Sequence, residues 1–340
     1  MATAPVRSGA GRSPSVAGQP ATEGATPGPR SRSRRRRREL VALAFLAPAL
    51  LGMLVFFVFP LVMTVYYSFT AFDLSNPPRF NGLANWRYLF TGDPLIGTAA
   101  MNTLWFVAIM VPVRIVGALA VAWMLTRARR ASGLLRTVYY LPALIPPVAS
   151  TIAFVFVLNP GTGPVNQLLE AVGIDPPGWF TDPAWSKPAL ALLGLWVLGD
   201  VMVIMLASLL DVPTEQYEAA ELDGANGWQR FVYVTIPHMA PILLFALITG
   251  VIGALRYFTE PAVASATAQG RAAVGAGTST LLGWPDNSTL TYGQLLYSKA
   301  FGANLLGYGS AMAVLLFVVT AALMAVLLRR SRSFTPEVAS

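Results

Sequence analysis

The sequence predicts an all-α integral membrane protein with six transmembrane helices and both termini in the cytoplasm. Three observations carry this reading. The chain is 55% hydrophobic and 12% charged, against about 25% charged residues in soluble domains. Six apolar segments each come near the roughly 20 residues a helix needs to cross a bilayer. Lysines and arginines also divide unevenly between the two sets of connections, as the positive-inside rule requires.

The six segments are approximately Leu40–Phe69, Ala99–Thr126, Leu134–Leu158, Pro188–Leu210, Met239–Tyr257 and Leu305–Leu328. A closed β-barrel is the other structure that satisfies every backbone polar group in lipid, but its short alternating segments are absent. The third segment contains YYLPALIPPVAS, with Pro142, Pro146 and Pro147. Prolines free backbone carbonyls and kink a span, which suits either a cavity-lining helix or a static bend.

Orientation follows from the basic residues. Nine of the 24 precede Glu39, five of them in the run Arg34 to Arg38. With the N-terminus inside, the inner connections also hold Arg127, Arg129, Arg130, Arg136, Arg230, Arg329, Arg330 and Arg332. The outer loops hold only Arg79, Arg87, Lys187, Arg256, Arg271 and Lys299. A basic arm could neutralise nucleic-acid phosphates, but an apolar run starts at Leu40, so residues 1–38 read as a disordered cytoplasmic tail with no nucleic-acid partner. That run is about twice the 7–15 residues of a cleaved signal core. The transmembrane domain covers 39–330, and 331–340 form a short cytoplasmic tail. In the outer loops, GPVNQLLEAVGI reads as a short amphipathic helix at the interface.

Composition also narrows the chemistry. There is no cysteine and one histidine, His238, so thiolate catalysis, Cys-based zinc sites, a His-dependent triad and a multi-His metal site are all disfavoured. No Walker A pattern is present, and His238 reads as an interfacial packing residue. No catalytic residue, metal ligand or cofactor is therefore assigned to this chain.

Two polar features remain. Arg114, in VPVRIVG, and Asp200, in WVLGDVMV, lie within apolar spans, where ionisable groups are costly and often functional. Arg114 either lines a pathway or pairs with an acid on another helix. Asp200 either recognises a hydroxylated solute together with Trp196 or makes an inter-helix hydrogen bond. Tyr257 and Glu260 form a second aromatic–acid pair after the fifth span. The other feature is an acidic inner loop, about 211–238, whose Asp211, Glu215, Glu218, Glu221 and Asp223 lie between two apolar runs. Pro213 suits the first turn of a helix, Gly224 a left-handed C-terminal cap, and Asn226 with Gln229 a capping box. Pro237 is expected to end the second short helix before the next span. Ala219, Ala220, Gly224 and Ala225 leave a bend that another protein could approach closely, although an ordinary re-entry turn would share the pattern.

Glu218-Ala219-Ala220, then Gly224, then Val234-Thr235-Ile236-Pro237, resembles the EAA loop of bacterial ABC importer permeases: EAA, three residues, G, nine residues, I-x-L-P. Val234 replaces Ile and Ile236 replaces Leu. FNGLANWRYLF, LLRTVYYLPALIPPVAS and NPGTGPVNQLL resemble the carbohydrate-uptake permeases that pair as two unlike chains in maltose and glycerol-phosphate importers, and favour the first partner of such a pair. Residues Ala264 to Leu282 depart from the Gly-Gly-Pro-containing segment that this resemblance would place there.

The resemblance implies a permease for a sugar or polyol in the cell membrane. It implies a second permease subunit, two ATP-binding cassette subunits that hold ATP and magnesium, and an extracytoplasmic solute-binding protein. Residues Glu218, Ala219, Ala220, Asp223, Gly224, Ala225 and Pro237 would form the ATPase-coupling loop, with Glu218 facing an ion-pair partner. A non-sugar ABC permease would call for a basic cavity. An ion-driven transporter would call for inverted repeats and several buried acids.

Overall fold

The computed structural model describes residues 29–128, 132–270 and 282–331. The chain divides into two compact units, one ending at Pro60 and the other beginning at Leu61. Most of the 1–38 tail, the inner-loop Arg129 and Arg130, the outer-loop Arg271, most of the Ala264–Leu282 departure, and the 331–340 tail beyond Ser331 lie outside the described residues.

In the first unit α1 runs Pro29–Met53, and a π-helical turn follows at Leu54–Val58. The helix therefore begins at Pro29 and not at the expected boundary near Leu40. Arginine is a good helix former, so an apolar helix propagates readily into the arginine run. Helix α2, Phe59–Tyr67, completes an apolar span over Val41–Tyr67. Phe45, Phe56 and Phe57 are largely exposed, as suits a surface that lipid or another subunit covers.

In the second unit a two-stranded ribbon, β1 (Thr70–Ala71) and β2 (Arg79–Phe80), precedes α3 (Ala84–Thr91). The second span is continuous over Ile96–Arg127: α4 (Ile96–Trp105), a π-helical turn at Phe106–Met110, and α5 (Val111–Arg127). The third predicted span is α6 (Ser132–Leu144) plus α7 (Pro147–Val157), bent by 101° at their junction. The kink was legible in Pro146 and Pro147, but a near right angle is the break of an interrupted span or a re-entrant loop and not the bend of one helix. Helix α8 (Pro164–Ala171) is the expected short helix of the next loop. The fourth span is α9 (Pro183–Trp196) plus α10 (Gly199–Leu210), bent by 48°. Asp182 caps α9 by accepting from the Ala184 N–H at 2.8 Å, with Pro183 in the first turn.

The acidic loop forms α11 (Thr214–Leu222) and α12 (Gly227–Arg230). Here one expectation is corrected. Pro237 does not end the second loop helix: α12 passes through a π-helical turn at Phe231–Thr235 into α13 (Ile236–Leu255), one continuous apolar helix over Gly227–Leu255. A proline lacks the N–H for the normal ladder, and the wider π turn just before it loosens the ladder where its ring must fit. Helices α14 (Thr259–Ala268) and α15 (Tyr292–Tyr297) precede the last span, α16 (Leu306–Ser331). Counting each bent pair as one span gives six, by length and composition.

Helices α5, α10 and α13 pack together through Ala118, Ala122, Met202, Met205, Leu206 and Met239, all essentially buried. Small residues matter here because lipid supplies no hydrophobic drive between helices, which leaves close van der Waals approach. At the other end, polar side chains tie distant segments. Asn102 donates to the carbonyls of Asn287 and Leu290 at 2.8 and 3.0 Å, and accepts from Lys187 at 3.1 Å. Thr103 Oγ1 accepts from the Tyr292 N–H at 2.8 Å.

Candidate functional site

The loop between α10 and α13 is built from local rules. The Gly224 N–H donates to the Glu221 carbonyl at 3.0 Å and the Ala225 N–H to the Ala220 carbonyl at 2.9 Å. With Gly224 at φ +79°, these two bonds form a complete Schellman motif that ends α11. Two residues on, Asn226 accepts from the Gln229 N–H at 2.9 Å while Gln229 Oε1 accepts from the Asn226 N–H at 2.8 Å, a closed capping box. Arg230 then reaches back to Glu221 at 2.9 Å, and the Tyr217 and Thr235 hydroxyls lie 2.8 Å apart. The connection is thus a fixed helix–turn–helix.

The acids and small residues singled out from the sequence lie on its outside. Glu218, Ala219, Asp223, Gly224 and Pro237 are exposed, and Ala220 and Ala225 are half-buried. Among the described residues, Glu218 makes no ion pair or hydrogen bond, whereas Glu221 is already paired. Leu222 and Trp228 are also largely exposed, at 90% and 71%. An uncommitted carboxylate beside bare apolar side chains on a rigid turn is a surface suited to another protein.

A second site lies among α5, α10, α13 and the start of α14. A cavity of about 310 Å³ is lined there by Arg114, Asp200, Tyr257 and Glu260 with Arg256 and Thr249. Four of the five candidate pathway residues therefore converge. The Arg114 guanidinium donates to Asp200 Oδ1 at 2.7 Å and to the Val197 carbonyl at 3.2 Å, so the arginine pairs with an acid on another helix and also faces the cavity. Its Nε is buried without a partner among the described residues. The Tyr257 ring packs edge-on against Phe106 at 5.1 Å.

Trp196 does not join them. Its ring lies 6.2 Å from Phe154, because the bend at Val197 and Leu198 turns α9 away from the direction of α10. Trp196 is thus outside the lining of the cavity that Asp200 faces. Sequence reading missed Arg256, Gly250 and Gly253. Thr249, Gly250 and Gly253 lie on one face of α13, where Gly253 leaves open room and Gly250 lets Val111 approach the helix, and that spacing was the available signal.

The tie between α5 and α10 survives loss of the charge, because an asparagine at 200 still offers an oxygen to the Arg114 guanidinium, which also donates to the Val197 carbonyl. Asp200→Asn is therefore expected to leave the thermal midpoint nearly unchanged. Transport should fall about tenfold through loss of a charged hydrogen bond at the cavity wall. A lower midpoint with normal transport would assign the pair to folding alone.

The family model described as "Binding-protein-dependent transport system inner membrane component" matches residues 114–333. The chain belongs to that family. Among curated relatives, the permease is 34% identical over 298 residues to the probable ABC transporter permease protein YesP of Bacillus subtilis (strain 168), covering 87% of this chain and 92% of that one. It is 37% identical over 264 residues to the lactose transport system permease protein LacF of Rhizobium radiobacter, covering 76% and 82%. Among solved structures, a bacterial ABC transporter involved in the import of the acidic polysaccharide alginate superposes with a TM-score of 0.71 at 22% identity, covering 90% of this chain and 100% of that one. The protein is thus a multi-pass inner-membrane permease subunit of an ABC transporter, and the fold expected from its spans agrees with that of solved importers.

Proposed function

We propose that this permease carries a sugar or polyol inward, driven by two ATP-hydrolysing subunits that dock on the segment from Thr214 to Thr235. It pairs with a second, unlike permease chain and receives its solute from an extracytoplasmic binding protein. ATP and magnesium are held by the cassette subunits. The observation that carries the coupling assignment is the locked turn at Gly224 with Glu218 free on its outer face. A push delivered there passes directly into α10 and α13, the helices that wall the cavity.

The solute class is supported by charge balance. Two arginines, Arg114 and Arg256, and two carboxylates, Asp200 and Glu260, line the cavity. A neutral polyhydroxylated solute matches such a wall, since carboxylates accept and guanidinium groups donate hydrogen bonds to hydroxyls. Similarity to a lactose transport system permease points the same way. A cavity meant for an anion would carry an excess of cations.

The test is made in the loop. Glu218→Ala and Gly224→Val are each expected to cut transport at least tenfold while ATP hydrolysis continues and membrane insertion is unchanged. Valine at φ +79° is strained whatever the surrounding space. Normal solute uptake by both variants would end the coupling assignment.

A further inference from the structure

A second cavity, of about 310 Å³, lies at the coupling segment and shares Tyr217, Gly227, Arg230, Phe231 and Thr235 with it. It is enclosed by the last turns of α5 and α10, by α11, and by the restart of the helix at Gly227. Its polar wall is Thr126, Arg127, Tyr217, Arg230 and Thr235, and its apolar wall includes Trp123 and Leu210. No carboxylate lines it.

The two arginines are held in different ways. The Arg127 guanidinium lies 3.5 Å above the Trp123 ring. Stacking occupies the face of the guanidinium and leaves its in-plane N–H groups free. Among the described residues the Arg127 guanidinium makes no hydrogen bond or ion pair, so its positive charge is oriented by an aromatic ring and matched by none of their anions. Arg230 gives one nitrogen to Glu221 and keeps the rest of its donors. Trp123 continues through Phe231 to Trp228, with ring centroids 6.1 and 5.7 Å apart, an aromatic run where an apolar helix ends. Trp at a membrane boundary sits at the depth of the headgroups.

We propose that this cavity is a phosphate site filled by the headgroup of an anionic phospholipid. A guanidinium fork matches phosphate oxygens bidentately, and the lipid source is favoured over a soluble phosphate because Trp123 and Leu210 offer exposed apolar surface beside the cations, at 43% and 58%. Bound there, the lipid links α5 to α11 and α12, so it braces the turn against the span. The effect on coupling rests on the proposed role of that turn; the binding does not.

The full chain, with whatever subunits co-purify, is placed in nanodiscs of phosphatidylcholine with increasing phosphatidylglycerol. Native mass spectrometry after transfer to detergent counts retained phosphatidylglycerol, and transport is measured in matching vesicles. Wild type should retain the anionic lipid and transport severalfold faster with it. Arg127→Gln should retain at least about tenfold less, while Arg329→Gln, the same charge change at the end of α16, retains as wild type does. Equal retention by wild type and R127Q overturns the site. Equal loss in both variants overturns it too, because bulk electrostatics would then be the cause. Inorganic phosphate is the second arm: protection of wild type but not R127Q against thermal unfolding by millimolar phosphate, without selective lipid retention, assigns the cavity to a soluble phosphate and overturns the lipid. Should R127Q fail to fold, Arg127→Lys takes its place: it keeps the charge but loses the planar fork and should retain severalfold less phosphatidylglycerol than wild type, and equal retention overturns the site. Lipid retention that depends on Arg127 with unchanged transport leaves the site standing and sinks only the brace.

Discussion

Replacing Asp93 by alanine is expected to lower stability by about 3 kcal/mol, the cost of leaving the partner of a buried ion pair uncompensated. The Asp93 side chain is wholly buried between α3 and α4. Its Oδ2 lies 3.0 Å from the Lys299 ammonium and accepts from the Tyr308 hydroxyl at 2.9 Å, and its Oδ1 accepts from the Leu95 N–H at 3.0 Å. Two stretches far apart in sequence, the turn at Asp93 and the segment from Lys299 to Tyr308, meet on one carboxylate, so its loss frees the turn before the second span from the start of α16. Burial pushes this carboxyl up, but the Leu95 N–H, the hydrogen bonds from Lys299 and Tyr308 and the Lys299 charge outweigh it, so Asp93 titrates below the usual carboxylate range. A depressed pKa in the folded protein contributes stability above the unfolded value, near 3.9, and that contribution is lost as pH falls through the folded pKa. The gap in thermal midpoint between wild type and Asp93→Asn should therefore hold steady from about pH 8 to pH 5 and close below about pH 4. A gap that instead closes between pH 6 and 8 would mean that the carboxylate is not the anion of this cluster.

What could be read from the sequence, and what could not, divides by the range of the physics involved. Span lengths are set by the thickness of hydrocarbon, so Ala99–Thr126 was expected and Ile96–Arg127 observed. The loop was legible to single residues, since the Gly224 cap and the Asn226–Gln229 box are closed by neighbours within five positions. Arg114 and Asp200 stood out singly, because a charge in an apolar run is costly wherever it lies. That they pair is a fact about helix packing across 86 residues, which no local pattern encodes. Asp93 was invisible: an aspartate in a loop carries no mark of burial, and its partners come from beyond the fifth span. Trp196 stands apart from the cavity lining for a related reason, since the helical spacing that places it over Asp200 assumes one unbroken helix. The helix bends by 48° between them. Pro237 misled in the opposite sense, because a π turn let the helix pass through it.

The second large effect is expected at Gly199. A Cβ built there would meet the carbonyl oxygen of Tyr139 and come within 2.7 Å of the Tyr140 Cα. Both are backbone atoms of α6, so no side chain can swing aside, and the two helices must separate. Overpacking of this kind costs about 1–3 kcal/mol, and Gly199→Val should lie at or beyond the upper end. The damage should also reach function. Gly199 opens α10, Asp200 is the next residue, and α10 leads through Leu210 into the coupling segment, so a displaced α10 disturbs the cavity pair and the turn at once. Gly199→Ala is the sharper experiment, since the first carbon already collides. Gly97→Ala is its control, because nothing lies within 4 Å of that Cβ and alanine is the better helix former. A G199A protein with a lowered thermal midpoint and less than a tenth of wild-type transport, beside a normal G97A protein, is the expected result. Wild-type stability and uptake in G199A would show that α6 and α10 yield at this crossing. Retained stability with lost transport would show that a separated arrangement of α6 and α10 is itself stable, and that the cycle needs the close one.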